Sequence, residues 1–149
     1  MIEIQGNIWD FHKSPRPDNF IGITTNAVLK NGERGKELVM GKGIALDAKT
    51  RYPLLPSILA YFVERNGNIP VVLQHYKLFT FPTKIHWKDK SNKQLIIHSA
   101  EVISKLLPEK DGTFYYLPRP GCGCGGLEWS EVKPLIENIL HNSFVIVSQ

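Results

Sequence analysis

The chain has 149 residues, 42% of them hydrophobic and 21% charged, which is typical of one globular domain and excludes a disordered, collagen-like or coiled-coil protein. No apolar run approaches the roughly 18 residues that a membrane span needs, and the first residues lack a signal-peptide pattern, so we expect a single cytoplasmic domain over residues 1–149 with no membrane partner. Lysine and arginine outnumber aspartate and glutamate by 18 to 14, and this formal net charge of +4 favours an anionic partner: a nucleotide, a nucleic acid or a phosphorylated small molecule.

Strand-like and helix-like patterns alternate along the chain. Up to residue 65 they predict an edge strand over residues 1–4 with Ile8, a loop over 11–20, a strand over 20–29 that breaks near Asn26, a charged loop over 30–40, and helices over 43–52 and 56–65. From residue 71 they predict strands over 71–76 and 77–81, a helix over 95–107 capped by Ser91, a strand over 113–117, a helix capped by Ser130 that contains Ile139 and Leu140, and a strand over 144–147.

This alternation predicts an α/β layered fold with a central sheet covered on both faces. Ligands of such folds bind beyond the carboxyl ends of the strands, where loops meet the N-termini of helices. Two glycine-rich loops of the sequence occupy that position.

The first loop consists of Gly41, Lys42, Gly43, Ile44 and Ala45 and opens a predicted helix. Glycines let the backbone approach a ligand closely, and the free N–H groups of a helix start favour an anion such as phosphate. The loop matches neither the Walker A pattern nor Gly-x-Gly-x-x-Gly, so an ordinary turn remains an alternative.

Lys49 lies on the same predicted helix, four residues after Ala45 and on the same face. From about 9 Å along the axis it could reach the far end of a ligand whose phosphates rest on the helix start. A surface lysine is the alternative.

The second loop, residues 118–126, carries four glycines in six residues and also lies between a strand and a helix. Such a run can form a nest of N–H groups around phosphate or ribose oxygens. Arg119 could contact a phosphate or pair with a surface carboxylate, and the sequence leaves both open.

Two cysteines, Cys122 and Cys124, lie inside this loop, separated by one residue. A disulfide between them would be strained, and a reducing compartment fits two free thiols. They supply at most two zinc ligands and would need His75, His86 or His98 to complete a site, so we expect no metal and two small buried thiols beside a tight turn.

A basic stretch covers residues 84–93. Its four lysines are Lys84, Lys88, Lys90 and Lys93. Asp89 alone opposes them, and Trp87 lies among them, so the stretch is either a solvated loop or a surface for a nucleic-acid strand.

Four segments resemble the macrodomain family, and the resemblance runs from Gly6 to the last strand. They are residues 23–27 (ITTNA); residues 40–45 (MGKGIA) continued to Lys49 and Tyr52-Pro53; residues 117–123 (LPRPGCG) with Gly126, Leu127 and Trp129; and residues 81–84 (FPTK) with His86 and Trp87. The last of these is similar to the subgroup that removes ADP-ribose from DNA or from glutamate side chains.

The resemblance implies a three-layer α/β/α fold with a central mixed sheet that binds ADP-ribose without a cofactor. Its branch would be that of the lysine-dependent ADP-ribosyl hydrolases and the ADP-ribose 1″-phosphate phosphatase-like enzymes. The implied catalytic residues are Lys49, acting at the anomeric carbon, and Asn26, orienting the distal ribose. The implied ligand-binding residues are Asn7 and Ile8 near adenine; Thr25 and Asn26; Gly41, Lys42, Gly43, Ile44 and Ala45 on one side of the diphosphate; and Pro120, Gly121, Cys122, Gly123, Cys124, Gly125 and Gly126 on the other.

The sequence departs from the family pattern at three places. Asn7 replaces an aspartate that accepts the adenine amino group, and an uncharged amide accepts such a bond more weakly. Gly125 replaces the catalytic aspartate of the glutamate-deconjugating enzymes, which favours a DNA or phosphate conjugate as substrate. No aromatic residue follows the last strand to cover adenine, so we expect weaker adenine binding or a substitute aromatic.

Three functions therefore compete. The first is an enzyme that releases ADP-ribose from DNA, protein or a 1″-phosphate. The second is a module that binds ADP-ribose without turnover, and the third is a nucleic-acid binder that uses the basic stretch.

Overall fold

A mixed sheet of six strands forms the centre of the computed structural model, which describes residues 1–12 and 18–149. The strands of the described residues are β1 (Ile2–Gln5), β2 (Phe20–Thr25), β3 (Leu29–Gly32), β4 (Gly35–Leu38), β5 (Val72–Leu73), β6 (Leu78–Pro82), β7 (Tyr115–Pro118) and β8 (Phe144–Ser148). The sheet order is β1-β8-β7-β2-β6-β5, with β3 and β4 forming a separate pair. All neighbours in the six-stranded sheet are parallel except β5 and β6.

Four α-helices of the described ranges cover the two faces of this sheet. They are α1 (Gly43–Arg51), α2 (Leu55–Asn66), α3 (Lys93–Leu106) and α4 (Trp129–Ile136), and single 3-10 turns lie at Ile8–Phe11 and Gly123–Gly125. None of these helices is long and apolar enough to cross a membrane.

Alternation of side chains along the strands creates two hydrophobic cores. On β8, Phe144 and Ile146 face the core that α3 and α4 cover, while Val145 and Val147 face the core that α1 and α2 cover. The structure therefore has three α/β/α layers and a central mixed sheet, and the predicted fold class is confirmed.

Residues 30–40, predicted to be a charged loop, form most of the β3–β4 hairpin, so this prediction is wrong. The strands pair from Leu29 with Leu38 to Gly32 with Gly35. Most of their side chains are exposed, which leaves no hydrophobic alternation for the sequence to show. Lys36 Nζ lies 3.1 Å from Glu64 Oε2 and links the hairpin to α2.

The predicted strand over residues 71–76 is shorter in the structure. β5 contains only Val72 and Leu73, and a turn follows in which Tyr76 N–H donates to the carbonyl of Leu73 over 3.2 Å. The predicted loop over 11–20 includes Pro15 and Pro17, which lie outside the described residues.

Two helix caps also differ from the prediction. Asn92, not Ser91, caps α3, because its Oδ1 accepts the N–H of Leu95 over 3.0 Å. α4 is capped by Glu128, which forms a capping box with Glu131.

The end of α4 differs as well. This helix ends at Ile136, so Ile139 and Leu140 lie in the turn that follows it. Leu140 is nevertheless buried in the core beneath α3 and α4. Burial of an apolar residue therefore did not require it to be helical.

Candidate functional site

A cleft of about 1170 Å³ lies at the carboxyl ends of β2, β7 and β8, where the two glycine-rich loops meet. Most of the predicted site residues line it. They are Asn7, Ile8, Thr25, Asn26, Gly41, Lys42, Gly43, Ile44, Ala45, Gly121, Cys122, Gly123, Cys124 and Gly125. The position of this cleft agrees with the general rule for ligand sites of α/β sheets.

Three predicted site residues do not line the cleft. Lys49 lies half-buried on α1, and Pro120 is a buried residue of the second loop. Gly126 lines a smaller pocket next to the cleft. The structure thus brings the loops together without placing the Lys49 side chain on the cleft wall.

The first loop presents an uncapped helix start to the cleft. α1 begins at Gly43, and within the described chain the side chain of its N-cap residue, Lys42, makes no capping hydrogen bond. The first N–H groups of a helix have no partner inside the helix and carry partial positive charge. A Cβ placed on Gly41 would meet no described atom within 4 Å, so the cleft can admit a ligand close to this backbone.

The second loop needs glycine to fold back against α3. Gly121 has φ +81°, and a Cβ there would lie 2.6 Å from Ile96 Cδ1. Its carbonyl accepts the N–H of Leu127 over 3.0 Å, which closes the loop. The N–H groups of this loop are thereby held at the edge of the cleft.

The two loops face each other across a gap that is part of the cleft. A Cβ placed on Gly43 would lie 4.0 Å from Cys124 Sγ. Because both walls of the gap are backbone-rich, the arrangement suits an anion that can be contacted from two sides, such as a diphosphate.

The two thiols of the second loop differ in environment. Burial raises the pKa of the half-buried Cys122, with nearby Arg119 acting in the opposite direction. Cys124 is exposed, so the prediction that both thiols are buried is wrong for Cys124. Among the described residues, no group of three or more His, Cys, Asp or Glu side chains could hold a metal ion.

Asn26 connects the end of β2 to the first loop. Its Nδ2 donates to the carbonyl of Val39 over 2.9 Å, and its Oδ1 accepts the N–H of Val28 over 2.9 Å. These bonds hold the chain leading into Gly41, which gives Asn26 a structural task besides any contact with a ligand.

The opposite end of the cleft contains an aromatic residue that sequence reasoning missed. Trp9 lines the cleft at 5% exposure, and the guanidinium of Arg51 lies 4.3 Å from its ring centroid. Asn7 Oδ1 accepts the N–H of Trp9 over 3.0 Å and so starts the 3-10 turn. In the structure Ile44, Asp47 and Arg51, which share a face of α1, line the cleft together with Trp9.

The position of Ser91 at the cleft was also missed, because a role as helix cap already explained a serine before α3. Its N–H donates to the carbonyl of Gly125 over 2.8 Å, and its buried Oγ has no hydrogen-bond partner among the described residues. A Cβ on Gly125 would clash with this Oγ. Ser91 thus fills the space that a side chain at position 125 would need.

Comparisons with known proteins agree with this geometry. No protein-family model matches the chain. The chain is 33% identical over 112 residues to a DNA ADP-ribosyl glycohydrolase of Thermus aquaticus, a match that covers 68% of the chain and 31% of that protein. It is 34% identical over 104 residues to a DNA ADP-ribosyl glycohydrolase of Mycobacterium tuberculosis, covering 64% of the chain and 30% of that protein.

Solved structures share the fold along the whole chain. The macrodomain of Thermus aquaticus DarG superposes with a TM-score of 0.72 at 27% identity, covering 99% of this chain and 97% of that one. A structure of Thermosipho africanus DarTG in complex with ADP-ribose superposes with a TM-score of 0.71 at 23% identity, covering 98% of this chain and 41% of that one.

A mixed sheet between two helical layers, with two glycine loops facing each other at its carboxyl edge, defines a macrodomain, and this chain belongs to the macrodomain family. Within that family it falls in the branch of the DarG macrodomains. The chain spans about a third of the length of the curated relatives it matches.

Proposed function

We propose that the cleft binds ADP-ribose and hydrolyses an ADP-ribose conjugate at the distal ribose, with ADP-ribose linked to DNA as the substrate. The observation that carries this proposal is that the two glycine loops line one cleft of about 1170 Å³ at the carboxyl ends of the strands. The names of the relatives, DNA ADP-ribosyl glycohydrolases, support DNA over protein-linked ADP-ribose and ADP-ribose 1″-phosphate.

The cleft offers a place for each part of the ligand. Adenine would lie at Asn7, Ile8 and Trp9, and the diphosphate would lie between the two loops, which act as phosphate-binding loops. The distal ribose would lie beside Asn26 and the second loop. In the reaction, water gives its hydroxyl to the anomeric carbon and a proton to the departing base.

Lys49 is the residue proposed to act at the anomeric carbon or to stabilise charge there. It follows Ala45, a cleft residue, by one helical turn, and side chains of an α-helix lean toward its N-terminus. The side-chain amine of Lys49 has no ion-pair or hydrogen-bond partner in the described parts of the chain, so it is free to turn toward a bound ribose.

The absence of an acidic side chain at position 125 supports a DNA conjugate over a glutamate ester. Gly125 carries no carboxylate, and Ser91 occupies the adjoining space. A heterocyclic base linked to the ribose is the leaving group that we propose.

A module that binds ADP-ribose without turnover is the second candidate. The observation that favours it is the position of Lys49 outside the cleft wall. In that case the loops would hold ADP-ribose and no bond would break.

Release of ADP-ribose from an ADP-ribosylated oligonucleotide distinguishes the two candidates. We expect the wild type to release it and Lys49→Ala to lose at least about a hundredfold in rate, as is typical when a group that acts directly on the reacting atoms is removed. Lys105→Ala, at the far end of α3, is the matched control and should keep the wild-type rate. Equal rates in wild type and Lys49→Ala would refute the role of Lys49, and binding of ADP-ribose with no release by the wild type would establish the binding module.

We also propose that residues 1–149 act as one macrodomain unit in the cytoplasm. Parallel pairing of β1 with β8 joins the first and last strands in chain order within one sheet, and two free thiols suit a reducing compartment.

A further inference from the structure

A second pocket of about 410 Å³ adjoins the cleft on the outer side of the second glycine loop. Its side-chain walls are Lys42, Lys84, Trp87, Lys88, Asp89 and Lys90. Five residues line both spaces, so the two adjoin: Lys42, Lys84, Trp87, Cys124 and Gly125. The junction lies at the end of the cleft that we assign to the distal ribose, where the group attached to that ribose must leave the cleft.

The segment that forms this pocket is anchored to the rest of the site. Lys84 Nζ donates to the carbonyls of Trp87, over 3.2 Å, and of Cys124, over 3.1 Å. Ser91 N–H donates to the carbonyl of Gly125, and Ala27 N–H donates to the carbonyl of Ile85 over 3.1 Å. The basic stretch is therefore held against the second loop, unlike a freely solvated loop.

The pocket combines a partly exposed aromatic ring with positive charges that form no salt bridge. Trp87 is 42% exposed, the His86 ring stacks against it with centroids 5.5 Å apart, and Lys88 Nζ lies 5.2 Å from its ring centroid. Within the described ranges, Lys88 and Lys90 form no salt bridge, and Asp89 is the one acidic residue of the pocket wall. An indole face stacks on a nucleobase, and neighbouring lysines attract the flanking phosphates.

We propose that this second pocket binds the nucleotide that carries the ADP-ribose, with its base on Trp87 and its flanking phosphates on Lys88 and Lys90. This inference rests on the proposed function of the cleft and adds the part of the site that recognises the leaving group. Because a paired base already stacks on its neighbours in a duplex, the pocket selects an unpaired strand.

Binding is measured in the Lys49→Ala background, so that turnover does not interfere. Two fluorescent probes are compared over a salt series: free ADP-ribose and a short single-stranded oligonucleotide carrying one ADP-ribose. We expect the oligonucleotide to bind about tenfold more tightly than free ADP-ribose, and Trp87→Ala to remove about that factor, since stacking on one aromatic residue contributes about 1–3 kcal/mol. Trp87→Phe should restore most of it.

The lysine pair gives the sharper result, because Lys88 and Lys90 line the second pocket and not the cleft. Replacing both with alanine should reduce the slope of log affinity against log salt by about 1.4 for the oligonucleotide, at about 0.7 for each phosphate contact of a single strand. The affinity for free ADP-ribose should not change. The matched control, Lys105→Ala with Lys110→Ala, should leave both probes unaffected.

Equal affinity of the wild-type pocket for both probes would overturn the inference and leave the ADP-ribose cleft intact. Equal weakening of both probes by the Lys88 and Lys90 substitutions would also overturn it. Failure of both probes to bind would refute the proposed function itself. An acidic peptide carrying ADP-ribose that binds as tightly as the oligonucleotide, with no effect of Trp87→Ala, would show that the pocket recognises protein.

Discussion

Single residues decide what the gap between the loops can hold. Gly41 and Gly43 leave its first wall bare, while Cys124 contributes an exposed thiol to the other. Cys122, two residues away, has a different role: it is half-buried, and burial raises its thiol pKa. The two cysteines of this loop, separated by one residue, both line the cleft but differ in exposure.

Alkylation by iodoacetamide should distinguish the two thiols. Cys124 should react first because it is exposed, whereas Cys122 stays protonated to a higher pH and reacts slowly. Saturating ADP-ribose should slow labelling of Cys124 by about tenfold or more, since a diphosphate in the gap would cover the thiol. Peptide mass spectrometry of wild type and Cys122→Ala measures the alkylation rates of the two thiols. An alkylation rate of Cys124 that is the same with and without ADP-ribose would argue against a diphosphate in the gap.

The sequence indicated the position of the glycine loops more completely than the contacts of Asn26 and Ser91. Glycine positions followed from the strand–loop–helix order, and most of them line the cleft. Asn26 was predicted as a ribose contact, yet its amide already bonds to two backbone groups. Ser91 was assigned to a helix cap because a serine before a helix has that common explanation, while its burial against Gly125 depends on a contact between distant segments.

At the level of elements, the wrong predictions are explained by contacts between residues that are far apart in the sequence. The β3–β4 hairpin lies outside the central sheet, and most of its residues are exposed. Its polar and charged sequence therefore looks like that of a loop. Except for β5, strands of the central sheet were predicted close to their observed positions, because their burial favours β-branched and aromatic residues. The caps of α3 and α4 each shifted to another residue nearby, where several polar side chains compete for the same position.

The edge strand β1 is held to α4 by a carboxylate with two donors. Glu3 accepts from Lys133 Nζ over 2.7 Å and from Trp129 Nε1 over 2.8 Å. These bonds, that of Lys133 first, lower the pKa of Glu3. A lowered pKa in the folded state means that the stabilisation is complete above the ordinary carboxyl pKa and is lost as pH falls through the lowered value.

Replacing Glu3 with glutamine should therefore flatten the acid side of the stability profile. The fall in melting temperature between about pH 7 and about pH 3.5 should be smaller in Glu3→Gln than in wild type, because one group no longer takes up a proton on unfolding. Glu101→Gln, at an exposed position on α3, is the control. A profile of Glu3→Gln that parallels the wild type would show that this contact does not contribute to acid sensitivity.

On the scale of the whole molecule, the sequence was sufficient for the layered class but not for the sheet order. Alternating strands and helices imply helices on both faces, and the two cores confirm that. The pairing of β1 with β8, and the position of β8 and β7 between β1 and β2, join residues far apart in the chain, and no local pattern specifies them. That topology is what brings the two glycine loops to the same edge of the sheet.

The central claim is that the gap between the loops binds the diphosphate of ADP-ribose, and Gly41→Val tests it most directly. A side chain at Gly41 meets no described atom within 4 Å and its φ is not positive, so the fold should tolerate valine while the cleft becomes narrower. Gly112→Ala is a contrasting control. Gly112 has φ +81°, so a side chain there strains the backbone, but this residue does not line the cleft.

Calorimetric titration with ADP-ribose gives the decisive result. The account predicts binding by wild type and by Gly112→Ala, and at least about tenfold weaker binding by Gly41→Val, a cost of about 1.4 kcal/mol or more, with its melting temperature unchanged. Equal affinity of Gly41→Val and wild type for ADP-ribose would contradict it.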